Sequence, residues 1–160
     1  LWANEVWWQT RPPDKGEGVP LKTHARWTQQ AMYLLWKQGA SNVTFLQFRD
    51  AKYTPGEFTL DSYQTGIYTY GERPKPTARA VAFPFVTDRR GASNLLAWGI
   101  APRDGKITIE VRRPGRGFRK LTTVQGREDG VFTKRLRVRG NAELRARMKG
   151  ERSLVWSQRG

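Results

Sequence analysis

Apolar and polar positions change their period partway along this chain. Leu1-Trp2-Ala3-Asn4-Glu5-Val6-Trp7-Trp8 opens as an apolar and aromatic run that reads as a strand already under way. Residues 9–21 follow with Arg11-Pro12-Pro13-Asp14 and Gly16-Glu17-Gly18, too rich in proline and glycine for regular structure. From Thr23, suited to a helix N-cap, to Gln38, the residues Trp27, Ala31, Leu34 and Leu35 recur at helical spacing, and Gly39 sits where a helix should end. Val43-Thr44-Phe45-Leu46-Gln47-Phe48 is dense in β-branched and aromatic side chains without alternation, as a parallel strand covered on both faces would be. Strand, helix, strand predicts a βαβ unit. A long loop from Tyr53 to Gly71 carries Tyr63, Tyr68 and Tyr70, after which Lys75-Pro76 opens a second helical stretch that Pro84 stops.

Beyond Asp88-Arg89-Arg90-Gly91 the period becomes two. Ile107, Ile109 and Val111 alternate with Thr108, Glu110 and Arg112; Leu136 and Val138 alternate with Arg135, Arg137 and Arg139. Runs of this kind cover residues 95–99, 106–113, 118–125, 131–139, 143–149 and 152–158, separated by turn chemistry such as Arg103-Asp104-Gly105 and Arg139-Gly140-Asn141. Such spacing predicts a small antiparallel sandwich or barrel with arginines on its wet face. The expected division is therefore 1–86 and 87–160.

Charge sharpens that division. Of a net +15, residues 1–86 hold 10 Lys/Arg against 7 Asp/Glu, and residues 87–160 hold 19 against 7. A basic excess of this size draws anionic polysaccharide, nucleic acid or anionic lipid, and also serves solubility alone. With no cysteine and only His24 as histidine, disulfide scaffolds and multi-histidine metal sites are excluded. The scattered acidic residues do not form a calcium loop, so no metal or other cofactor is expected. No apolar run is long enough for a membrane span, and no signal peptide is visible. The abrupt opening suggests a processed or truncated product.

Four segments carry a family resemblance: the opening strand around Glu5, the helix from Ala25-Arg26-Trp27 to Gly39, the strand Asn42 to Asp50, and Gly66-Ile67-Tyr68 with Lys75-Pro76-Thr77-Ala78-Arg79-Ala80. Together they resemble the final two strand-helix units of clan A glycoside hydrolases, retaining (β/α)8 enzymes. Trp98-Gly99-Ile100-Ala101-Pro102, Phe132 to Arg139 and Leu144-Arg145-Ala146 resemble the immunoglobulin-like or fibronectin-like modules that follow such barrels in secreted enzymes. The resemblance implies an α/β plus β fold: the last two βα units of a TIM barrel, then a small antiparallel β-sandwich. It also implies a protein secreted or held at the cell surface, and Glu5 as the nucleophile. Asn4-Glu5 equally has the form of that family's Asn-Glu acid/base pair, and a structural Glu paired with an Arg is the plain alternative.

Retaining glycoside hydrolysis needs two carboxyl groups about 5–5.5 Å apart. The chain offers one, so turnover by it alone is not expected. Side chains at parallel strand ends converge on one mouth, which makes Trp7, Trp8, Gln47, Arg49 and Asp50 the candidate carbohydrate contacts. Trp faces suit sugar rings, although Trp is more often core. Two strands and two helices would leave apolar faces bare, so a second polypeptide, self-association or packing on the β-domain is expected to cover residues 1–86. Two other functions compete: a non-catalytic β-domain gripping anionic polysaccharide or nucleic acid through Arg112, Arg113, Arg119, Arg135, Arg137 and Arg139, and a structural accessory domain. Nucleic acid is disfavoured, because these arginines interleave with aliphatics and not with aromatics.

Overall fold

The computed structural model describes residues 1–128 and 130–159. The chain divides into two compact units, Leu1–Val81 and Ala82–Gly160.

In the first unit β1 (Trp2–Val6) pairs in parallel with β4 (Asn42–Phe45), and α1 (Leu21–Lys37) lies between them in sequence. Two short strands, β2 (Thr10–Arg11) and β3 (Val19–Pro20), also pair in parallel. Leu21 begins α1 directly after Pro20, two residues before the expected Thr23 cap, and no side chain caps it. Its C-terminus is as the sequence requires. Gly39 takes φ 82°, the Gly39 amide donates to Trp36 O and the Ala40 amide to Leu35 O, closing the last turn in a Schellman arrangement.

The apolar stripe of α1 is not its buried face. His24, Ala25, Thr28, Gln29 and Tyr33 are buried, while Trp27 and Leu34 are exposed. Polar residues can occupy the inner side because they are bonded there: Thr28 Oγ1 donates to His24 O at 2.9 Å, and His24 Nδ1 lies 2.7 Å from Thr77 Oγ1. After β4 the chain runs without a named helix or strand to α2 (Pro76–Ala82). Cross-loop amide bonds hold that segment, among them Asp50 N to Tyr68 O and Ala51 N to Tyr63 O, each 3.0 Å. Gly66 lets the two limbs meet, since a Cβ there would come within 2.5 Å of Asp50 N.

The second unit is antiparallel throughout. β5 (Phe85–Arg89), β6 (Asn94–Ile100) and β9 (Val131–Arg137) form one sheet in that order. The other orders β11 (Glu151–Arg152), β10 (Ala142–Met148), β7 (Gly105–Arg112) and β8 (Arg119–Gly126), with β12 (Trp156–Gln158) also on β10. Alternation decides what is buried: Ile107, Ile109 and Val111 of β7 and Leu144, Ala146 and Met148 of β10 point inward. Outward on the same strands, Arg145 Nε donates to Glu110 Oε2 at 2.6 Å and Arg112 Nε to Glu143 Oε2 at 2.5 Å. The Phe118 ring sits under the Arg112 and Arg145 guanidinium groups, at 4.6 and 3.9 Å.

The expected fold class is corrected on this evidence. The chain is mostly β, with two helices among the described residues, and is not two βα units of a TIM barrel followed by a sandwich. A single long helix is present; the second helix has seven residues and is separated from β4 by an irregular segment, so no second barrel unit is built. The parallel sheet stops at two strands. β5 straddles the expected boundary after Val86, where burial of Phe85, Val86 and Thr87 hides any alternation. Residues 152–158 form two separate strands, β11 and β12, and not one.

Candidate functional site

Glu5 lies near the end of β1 at a break in register. Ala3 pairs with Val43 and Val6 with Phe45, so β1 carries one residue more than β4 over that interval. Glu5 adopts φ 63°, a region that non-glycine residues rarely enter. Its side chain is exposed, with no hydrogen bond or ion pair to another described residue. A bulge of this kind re-aims a side chain away from the regular pleat.

Beyond Glu5 the chain lays down an aromatic ledge. Trp7 stacks on Tyr63 with centroids 5.1 Å apart, and Phe58 meets the edge of Tyr63 at 4.9 Å. Phe58 is exposed, and it lines a cleft of about 590 Å³ together with Tyr53, Asp14, Glu17 and Glu57. Asp14 is committed to its own loop, accepting from the Gly16 and Glu17 amides at 3.0 and 3.1 Å. Apolar ring surface beside carboxylates is the composition that sugar-binding surfaces use.

The other residues expected at the strand ends are spread over several environments. Trp8 is half-buried, edge-on to Trp27 at 5.6 Å and to His24 at 6.4 Å. Gln47 is half-buried, accepting from Thr65 Oγ1 at 2.8 Å and donating to Leu60 O at 3.0 Å. Arg49 is exposed, pairs with Glu72 at 2.8 Å and lies over the Tyr70 ring. Asp50 is buried, and its carboxylate meets Lys75 Nζ at 2.6 Å with both side chains almost wholly enclosed.

That buried pair organises the unit. Lys75 Nζ also donates to Thr10 Oγ1 at 2.8 Å and to Gln64 O at 3.1 Å, while Asp50 Oδ1 accepts the Gly66 amide at 2.9 Å. Burial pushes the Asp50 carboxyl up and the Lys75 ammonium down, each held back by the other's charge. Burial, aided by the positive charge of Lys75, lowers His24 to about 4, so it is neutral near pH 7. Among the described residues no group of three or more His, Asp or Glu could hold a metal ion. Among the described residues, no helix is long and apolar enough to cross a membrane.

Sequence spacing alone did not point to Phe58, Tyr53, Glu17 or Glu57. Trp7 and Tyr63 are brought together across more than fifty residues, and only the density of aromatic residues in the loop hinted that it is ordered.

No family model matches the chain, and no curated protein is similar to it. The resemblance to clan A hydrolases with an immunoglobulin-like or fibronectin-like module is therefore corrected: no family match carries it, and the fold lacks the barrel units it requires.

Proposed function

We propose that the first unit is a carbohydrate-facing surface in which Glu5 serves as the nucleophilic carboxylate of a glycoside-hydrolysing centre. The observation that carries this is Glu5 itself: an exposed carboxylate, unpaired among the described residues, held at φ 63° on the extra residue of a strand. Strained, bulged positions cluster at functional sites because the surrounding structure must be built to hold them. Support comes from the Trp7–Tyr63–Phe58 ledge and the adjoining cleft, where C–H faces of a sugar can pack on ring surface while Glu17 and Glu57 accept from its hydroxyls.

Glu5 would attack the anomeric carbon and form a glycosyl ester, while a second carboxyl group protonates the leaving oxygen and then activates water. Asp50 is committed to Lys75, Glu72 to Arg49, and Glu17 and Glu57 in this reading to the sugar hydroxyls, so this second group is assigned to another polypeptide. Such a partner, or a second copy, would cover Trp2, Trp27, Leu34 and Phe48, which the first unit leaves exposed. This reading goes with a protein secreted or held at the cell surface.

Titration of the chain with neutral oligosaccharides, followed by Trp fluorescence, tests the binding half. Trp7→Ala is expected to weaken binding about fivefold or more, since loss of a stacking ring removes on the order of 1–3 kcal/mol. With the partner present, Glu5→Gln is expected to abolish turnover. Turnover by the chain alone, or full turnover in Glu5→Gln, contradicts the assignment.

A further inference from the structure

The second unit carries its own cleft, of about 700 Å³, along residues 94–96 of β6 and 135–137 of β9. Antiparallel register sets Asn94 opposite Arg137 and Leu96 opposite Arg135, so these four share one face of the sheet. Arg135 and Arg137 stand two residues apart on β9, roughly 7 Å along the strand. Both are exposed, and neither side chain bonds to another described residue. Arg90 stands at the end of the cleft, paired with Asp88 at 3.0 Å.

The end wall is fixed before any ligand arrives. The Arg89 guanidinium donates to the carbonyls of Gly91, Ala92, Gly140 and Arg159, and the Val138 amide donates to Ser93 O at 2.7 Å. These bonds pin the turn that presents Arg90 and Asn94, so little ordering cost remains on binding.

We infer that this cleft is a binding site for an anionic polysaccharide, whose sulfate or carboxylate groups pair with Arg135 and Arg137 while its sugar rings lie over Leu96. Guanidinium forks match planar carboxylates and sulfates with paired N–H donors. The cleft's lining contains no aromatic residue, whereas single-stranded nucleic acid is gripped by stacking its bases on rings. Around the site, residues 87–160 supply the 19-to-7 cationic excess that draws a polyanion in. This site stands on the second unit alone and is independent of the role given to Glu5.

Binding of the full chain to heparin oligosaccharides, to polygalacturonate and to a single-stranded oligonucleotide, measured by calorimetry at low and raised salt, tests it. The Arg135→Glu/Arg137→Glu variant is compared with Arg103→Glu/Arg152→Glu, which changes charge equally at exposed residues outside the cleft. The site predicts a loss of tenfold or more in affinity for at least one polysaccharide in the first variant. The second variant should lose less than about threefold, with circular dichroism unchanged in both. Heparin preferred over polygalacturonate assigns sulfate as the ligand group, and the reverse assigns carboxylate. Equal losses in the two variants, absence of polysaccharide binding at low salt, or tighter binding of the oligonucleotide overturns the inference.

Discussion

Glu5 stands where a glycine would be at ease. A non-glycine residue held near φ 60° costs on the order of 1–3 kcal/mol, part of which glycine would return through its greater freedom in the unfolded chain. Glu5→Gly should therefore stabilise the first unit by about 1 kcal/mol while removing the carboxylate; a raised urea midpoint by Trp fluorescence checks it. His24 makes the opposite kind of statement. Its folded value of about 4 lies below the unfolded 6.5, so above pH 6.5 both states are neutral and no stability is lost. Between pH 6.5 and 4 the unfolded chain takes up a proton that the folded chain refuses, and stability falls as pH falls, by on the order of 3 kcal/mol in total. A series of urea midpoints over that window should show this slope, and His24→Gln should flatten it. Glu5 stood out in sequence as a candidate carboxylate, but neither its backbone strain nor the burial of His24 was legible there. A lone histidine near a helix start looks like a cap, and only its contact with Thr77, fifty-three residues away, shows it enclosed.

At the scale of elements, sequence was informative where the physics is local. The alternation of β7, the Gly105 that opens it and the Gly39 terminus of α1 are all written in a few adjacent residues, and each is present. The buried side of α1 was not legible, because its polar residues are satisfied by distant partners while Trp27 and Leu34 lie outward. The strand-helix-strand order identified β1, α1 and β4, but nothing in that order counts how many further strands pair, so it could not distinguish an isolated parallel pair from a barrel. The segment after β4 is held by Asp50 and Lys75, twenty-five residues apart, and no periodicity signals such a pair. Lys75→Met removes the cation and leaves Asp50 buried without it. Loss of one partner from an enclosed pair costs roughly 3–5 kcal/mol, so the unfolding midpoint of the first unit should collapse, with Asp50→Asn/Lys75→Met recovering part of the loss.

Across the whole molecule, charge and exposed apolar surface separate by unit. Among the described residues, nine of the eleven exposed large hydrophobics belong to the first unit, from Leu1 to Tyr70, whereas the cationic excess belongs to residues 87–160. On the proposed reading, the first unit would meet a polysaccharide through its ring surfaces and the second through its cationic groups. The carboxylate at Glu5 is where binding would become chemistry, and it can be interrogated without its acid partner. A 2,4-dinitrophenyl 2-deoxy-2-fluoroglycoside needs no protonation of its leaving group, so a competent nucleophile alone can be trapped as a stable glycosyl ester. Peptide mass spectrometry after treatment with gluco, galacto and xylo forms of this reagent should place the added sugar on Glu5 and find none in Glu5→Gln. An unlabelled Glu5 with all three reagents, or a label on another carboxylate that survives Glu5→Gln, would contradict the assignment.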